Sequence, residues 1–328
     1  MALSLIDISA YTSQYIVPKS TDTIFLNSPV FTRLSSRNME RFSGGLYIQR
    51  PIIYNELNGD AIGRGDAMNI DFVTTDTALV NDLKVYYVNI TLFGFDSMKN
   101  DGPAAIFSQV ETKFQNASMK MAKLLATNMY LDHVTAGRQK HLDGLREWID
   151  DGNQFPTIGG ITRSDIVPVT SPSTVGGLNA FTNNLGAGAF TLQTLNTAYG
   201  NAWFGADHPD LVVATQNGWN LIWNALQPQQ RYYDTESDVA STGFQSFRFN
   251  GAEVVVDKYM PTGTNGVMYL LNSKYLEWYF STNKKFQFGF TGFKESNNSL
   301  DVAGQYLVGS NIVIPNPRAF AKILSSNF

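Results

Sequence analysis

The chain has 328 residues, with 24 Lys and Arg against 28 Asp and Glu and a formal net charge of −4. That balance argues against a dedicated nucleic-acid binder with a basic footprint, and the absence of cysteine rules out disulfides, thiolate metal sites and cysteine nucleophiles. Charged residues make up 16% and aromatics 13%, where an average soluble protein carries about 25% charge; this composition suits surface buried against partners, and also a glycan-binding β-rich protein.

The opening residues, MALSLIDISAYTSQY, lack a basic segment and a sustained apolar run, so they do not read as a signal peptide. No stretch approaches the roughly 20 apolar residues of a membrane-spanning helix. The expectation is a chain made and used in a cytoplasm-like setting. Residues 1–44 are mixed and polar, and Pro18 and Pro29 interrupt any long element. They read as a loosely ordered terminus or as an extended arm lying on a neighbouring subunit.

Residues 45–95 predict long paired strands. Leu46 to Ile48 and Pro51 to Ile53 run out, a Gly- and Asp-rich segment from Asn58 to Asp66 turns, and Ile70, Phe72 and Val73 return. Alternation resumes from Val85 to Phe93. Little apolar surface is expected near the tip, so the hairpin is predicted to protrude.

Asp101-Gly102-Pro103 opens the best helix, with an acid at the positive end of the dipole and proline in the first turn. Ile106, Val110, Phe114, Met121 and Leu124 recur at helical spacing and predict its buried face. A helix from about Pro103 to Ala136 would be about 50 Å long, with Gly137 as its stop. The alternative is two helices broken near Thr127-Asn128.

Residues 144–290 predict a compact α/β domain. Leu145 to Ile149 is a short helix or strand, and residues 150–190 are loop-rich. A helix capped by Thr191 runs to about Phe204. A buried strand covers Pro209 to Thr215, and a helix from Gln216 to Leu226 carries Trp219 and Trp223 on one face. Val254 to Val256 and Met268 to Leu271, separated by a Pro- and Gly-rich loop, read as a hairpin, followed by the aromatics Tyr275, Trp278, Tyr279 and Phe280. Residues 286–328 return to strand-like alternation, broken by Pro315 and Pro317.

The search for reactive groups is unproductive. His133, His141 and His208 lack metal-ligand spacing. There is no nucleophile elbow, phosphate loop or zinc-protease motif. Asp150-Asp151-Gly152-Asn153 lacks the rest of a calcium loop and reads as a turn. Arg64-Gly65-Asp66 reads as part of a charged tip. No catalytic, cofactor-binding or metal-ligating residue is expected.

The order of parts resembles the major capsid proteins of tailed bacteriophages. The likeness is most specific in Leu142 to Asp150 (LDGLREWID) followed by Ile158-Gly159-Gly160-Ile161-Thr162-Arg163-Ser164, in Thr191 to Leu226, and in Phe249 to Phe280. The resemblance implies an α+β, Hong Kong-97-type capsid fold: an N-terminal arm (1–44), an extended hairpin loop (45–95), a peripheral domain with a long spine helix (96–143), an axial α/β domain (144–290) and a return to the peripheral domain (291–328). It implies a non-enzymatic chain that assembles with itself into pentamers and hexamers of a virion shell around double-stranded DNA. Assembly would take place in the host bacterial cytoplasm. A separate scaffolding protein, a portal and decoration proteins would be partners. The hairpin tip, with Glu56, Asp60, Arg64 and Asp66, would contact a neighbouring subunit. Lysine cross-linking is not carried over, because Lys84 is the only lysine from 45 to 95 and lies away from the tip. An encapsulin-like nanocompartment shell is the alternative within the fold, and a glycan-binding β-rich protein the alternative outside it.

Overall fold

The computed structural model describes residues 12–16, 28–37, 39–53, 57, 59–68, 70–93, 103–166, 177–203, 205–226, 246–263, 266–295 and 301–328. In chain order, α1 (Pro29–Arg37) leads to β1 (Met39–Phe42), then β2 (Ile48–Ile53), β3 (Asp76–Asn81) and β4 (Lys84–Leu92). The long helix α2 (Pro103–Met129) and short α3 (Leu145–Trp148) precede β5 (Thr157–Ile158) and β6 (Ile161–Thr162). Next come β7 (Phe181–Gly186), α4 (Leu192–Asn201), β8 (Leu211–Ala214), α5 (Gln216–Leu226), β9 (Ser246–Phe249), β10 (Ala252–Val256) and β11 (Val267–Leu271). The chain closes with β12 (Glu277–Ser281), β13 (Gly289–Phe290), β14 (Lys294–Glu295), β15 (Val302–Val313) and β16 (Ala321–Ser325).

Two sheets organise the fold. In the first, β15 pairs antiparallel with β4 from Ser310 opposite Lys84 to Val302 opposite Leu92, and on its other side with β12, β13 and β14. β1 adds in parallel to β12. Helix α2 packs on this sheet through Phe114, whose ring meets Phe290 and Tyr306 edge-on at 4.9 and 6.2 Å. The second sheet runs β7-β16-β11-β8-β10-β9. Its central strand β8 is apolar throughout and buried on both faces. Val212 and Ala214 face α4 and α5, while Leu211 and Val213 join the larger core, as strand periodicity requires. Thr191 caps α4 by accepting from Thr194 N at 3.2 Å. Trp219 and Trp223, one turn apart on α5, stack at 5.3 Å.

Several expectations change. β10 and β11 are not a hairpin: β8 lies between them, parallel to β10 and antiparallel to β11. A fully apolar strand needs partners on both edges as well as cover on both faces, and β10 and β11 provide one each. Helix α2 ends at Met129, so its 27 residues span about 40 Å. Asn128 ends it: Nδ2 donates back to Leu124 O at 2.7 Å, while Oδ1 accepts from Arg138 Nη2 at 2.8 Å. No helix follows in 130–144; that segment turns back along the helix end. Gly144 there is so close that an added Cβ would lie 1.9 Å from Leu131 O.

From residue 28, the N-terminal segment is built into its own subunit. Val30, Phe31 and Leu34 are buried, Phe31 packs on Trp278 at 4.6 Å, and β1 lies beside β12. Residues 291–328 divide between the sheets, β15 in the first and β16 in the second. Among the described residues no helix is long and apolar enough to cross a membrane.

Candidate assembly interface

Among the described residues, the feature least accounted for by the chain's own packing is the hairpin β2–β3. Its strands pair from Ile48 opposite Asn81 to Ile53 opposite Asp76. Residues 70–75, read from sequence as the returning strand, carry no strand pairing, and β4 leaves the hairpin to join β15. The base is fastened. Leu79 is buried, Val80 N donates to Gly159 O at 2.8 Å, and Arg50 Nη2 donates to Glu277 Oε1 at 2.7 Å. Gly159 and Gly160, both at positive φ, form the tight β5–β6 turn. At Gly159 an added Cβ would meet Leu79 Cδ2 at 2.8 Å, so that glycine is what lets the two hairpins touch.

Beyond the base the described large apolar side chains are uncovered. Ile53 is 84% exposed, Ile70 90% and Phe72 94%, and Leu57, Ile62 and Met68 are also exposed. This overturns the expectation of little apolar surface there. A two-stranded ribbon has no second layer on which to bury such side chains, and large exposed apolar groups concentrated in one feature mark an interaction surface.

The predicted tip residues divide. Asp66 Oδ2 accepts from Gly63 N at 2.6 Å, and Asp66 N donates to Gly63 O at 3.3 Å, closing a turn through Gly65 at φ +96°. Asp60 Oδ1 accepts from Ala61 N at 2.8 Å. Both acids therefore serve the local backbone, while Arg64 stands exposed within the turn. Glu56 lies outside the described residues. On α2, Val110, Phe114 and Met121 are fully buried and Leu124 is half-buried, with Leu125 in the deep position beside it. The Ile106 side chain is outside the described residues.

Two polar networks behind the hairpin escaped sequence reasoning. In the first, Asp150 Oδ2 accepts from the amides of Gly152, Gln154 and Phe155 at 3.1–3.2 Å, and Oδ1 accepts from Lys322 Nζ at 2.6 Å. Arg163, equally buried, donates to the carbonyls of Phe155, Asp150, Leu178, Glu147 and Trp148, and burial pushes its guanidinium down to about 10. The Ile158 to Ser164 phrase thus has a physical basis: a turn that admits Leu79, then an arginine that gathers loop carbonyls.

In the second, the loop after α2 brings His133 Nδ1 to 2.7 Å from Glu147 Oε2 and 3.2 Å from Asp143 Oδ1. Asp143 Oδ2 accepts from Asn81 and Asn311, both at 2.8 Å, linking the hairpin base to β15. Burial raises the Glu147 carboxyl above its ordinary range, and the hydrogen bond to Glu147 raises the His133 imidazole. No periodic signal announces this cluster, because a non-helical loop separates its members.

No protein-family model matches the sequence, and no curated protein does. Solved structures do match. The capsid asymmetric unit of cyanophage A-1(L) superposes with a TM-score of 0.63 at 13% identity, over 90% of this chain and 92% of that one. The capsid of a native GTA particle gives 0.59 at 8% identity, over 89% of both chains. The holo-SrpI encapsulin complex from Synechococcus elongatus gives 0.57 at 11% identity, over 90% and 86%. The chain has the α+β fold of these shell subunits, the Hong Kong-97-type capsid fold.

Proposed function

We propose that this chain is a major capsid protein. It assembles with itself into pentamers and hexamers of an icosahedral or prolate virion shell, enclosing double-stranded DNA without reading its sequence. The observation that carries this is the fastened hairpin whose distal apolar side chains, Ile70 and Phe72 foremost, stand in solvent in the lone subunit. In a shell they lie on a neighbouring subunit, with Arg64 pairing an interfacial carboxylate. Residues 144–290 form the axial part around five-fold and six-fold centres, and α2 is the spine of the peripheral part. A separate scaffolding protein, a portal and decoration proteins complete the head, assembled in a bacterial cytoplasm. The chain itself performs no catalysis.

The likeness to an encapsulin favours one second reading, a shell around a protein cargo. Electron microscopy of particles recovered from producing cells, with nuclease-protected nucleic acid and protein content measured, separates the two. Closed particles holding duplex DNA are expected. Closed particles holding a second protein and no nucleic acid would support the nanocompartment instead, and a chain that stays monomeric with its scaffolding partners present would remove both.

A further inference from the structure

We propose that His133, Asp143 and Glu147 form a binding site for one divalent zinc-class cation, a staple between the end of the long helix and the base of the hairpin. The three ligand atoms lie within 4.8 Å of one another. A tetrahedral ion with bonds of about 2.0–2.1 Å holds its ligand atoms about 3.3 Å apart. The His133–Asp143 separation of 3.2 Å already has that value, and the 2.7 Å to Glu147 needs to open by only about 0.6 Å.

One observation beyond proximity points to a ligand. Asp143 is 3% exposed, and its Oδ1 accepts no hydrogen bond although it faces the imidazole. The ring nitrogen of His133, 3.2 Å away, hydrogen-bonds Glu147 instead, and a buried carboxylate oxygen left without a hydrogen bond is costly unless a cation supplies the missing interaction. The other oxygen is already oriented by two amide donors, Asn81 Nδ2 and Asn311 Nδ2, the outer-shell support typical of ligating carboxylates. Glu147 is steadied by His133 N at 3.0 Å. His133 is half-buried, leaving an approach from solvent for the ion and room for a water as fourth ligand. One nitrogen with two carboxylates suits zinc or a neighbouring transition ion, whereas magnesium and calcium favour all-oxygen sets.

The test uses the full chain, stripped with chelator and titrated with zinc chloride or magnesium chloride alone. Calorimetry reads affinity, elemental analysis after gel filtration reads stoichiometry, and thermal melting reads the coupling to folding. One zinc per chain is expected, with a rise in melting temperature that magnesium does not reproduce. His133→Gln should weaken zinc binding at least ~10-fold, and Asn81→Ala, which removes a side-chain amide that donates to Asp143's outer oxygen, by ~10–100-fold. If either variant fails to fold, cobalt titration of the unmodified chain substitutes, and a visible tetrahedral absorption band is expected. Less than stoichiometric zinc, or unaltered binding in folded His133→Gln, or no cobalt band, would overturn the site and leave a protonated imidazole bridging the two carboxylates.

Discussion

Asp150 accepts three loop amides on one oxygen and the Lys322 ammonium on the other, and Lys322 is only 1% exposed. Asp150→Asn keeps the shape but strands a buried cation, which costs about 3–5 kcal/mol. Urea unfolding of the unassembled subunit measures it, and a loss under about 1 kcal/mol would mean that Lys322 is satisfied elsewhere. The acid dependence follows from the same contacts. Burial alone would raise the Asp150 carboxyl, but the charge and hydrogen bond of Lys322 and the Phe155 amide outweigh it, so it lies below its ordinary 3.8. The folded state therefore holds this proton less readily than the unfolded chain. The contribution is complete above the ordinary value of 3.8 and is lost as pH falls through the lower folded value. Wild-type and Asp150→Asn stabilities should converge as the solution is acidified below that range, and a gap that persists there would contradict the assignment.

Helix α2 shows where periodicity succeeds as a guide and where it stops. Val110, Phe114 and Met121 are fully buried, and Met121→Asp should place an unpaired charge against the first sheet at a cost of several kcal/mol. Recovery of soluble, normally melting Met121→Asp subunit would show that this face tolerates water. The deep position beyond Met121 is Leu125, with Leu124 half-buried, because a 3.6-residue repeat drifts from a strict heptad as the helix lengthens. The helix end was illegible for a different reason: Asn128, Arg138 and Gly144 stop it through contacts with a returning loop, and propensity does not see those. The strands β8, β10 and β11 were each legible as apolar runs. Their order was not, since a run of valines reports burial and leaves open which neighbour provides it. The hairpin's apolar load was hidden because Ile70 and Phe72 look like ordinary returning-strand residues until the strand proves to begin at Asp76.

At the scale of the molecule, fastening and exposure are separated along one hairpin. Leu79, Val80 and Asn81 hold its base, while Ile53, Ile70 and Phe72 stand in solvent in the lone subunit. Replacing residues 57–73 by a short Gly-Ser turn should leave the melting of the isolated subunit within about 0.5 kcal/mol of wild type and abolish closed particles in electron micrographs. Particles of normal yield and heat resistance, or a subunit that no longer folds, would each refute that division. The second sheet carries a consequence of another kind. β16 lies inside it, between β7 and β11, yet it follows the sheet's other five strands along the chain. During translation the five earlier strands emerge with a gap in their midst, and no amount of waiting closes it. The second sheet therefore closes only on polypeptides that have been read through β16. A ribosome that stalls or drops off early releases a product whose second sheet is open between β7 and β11.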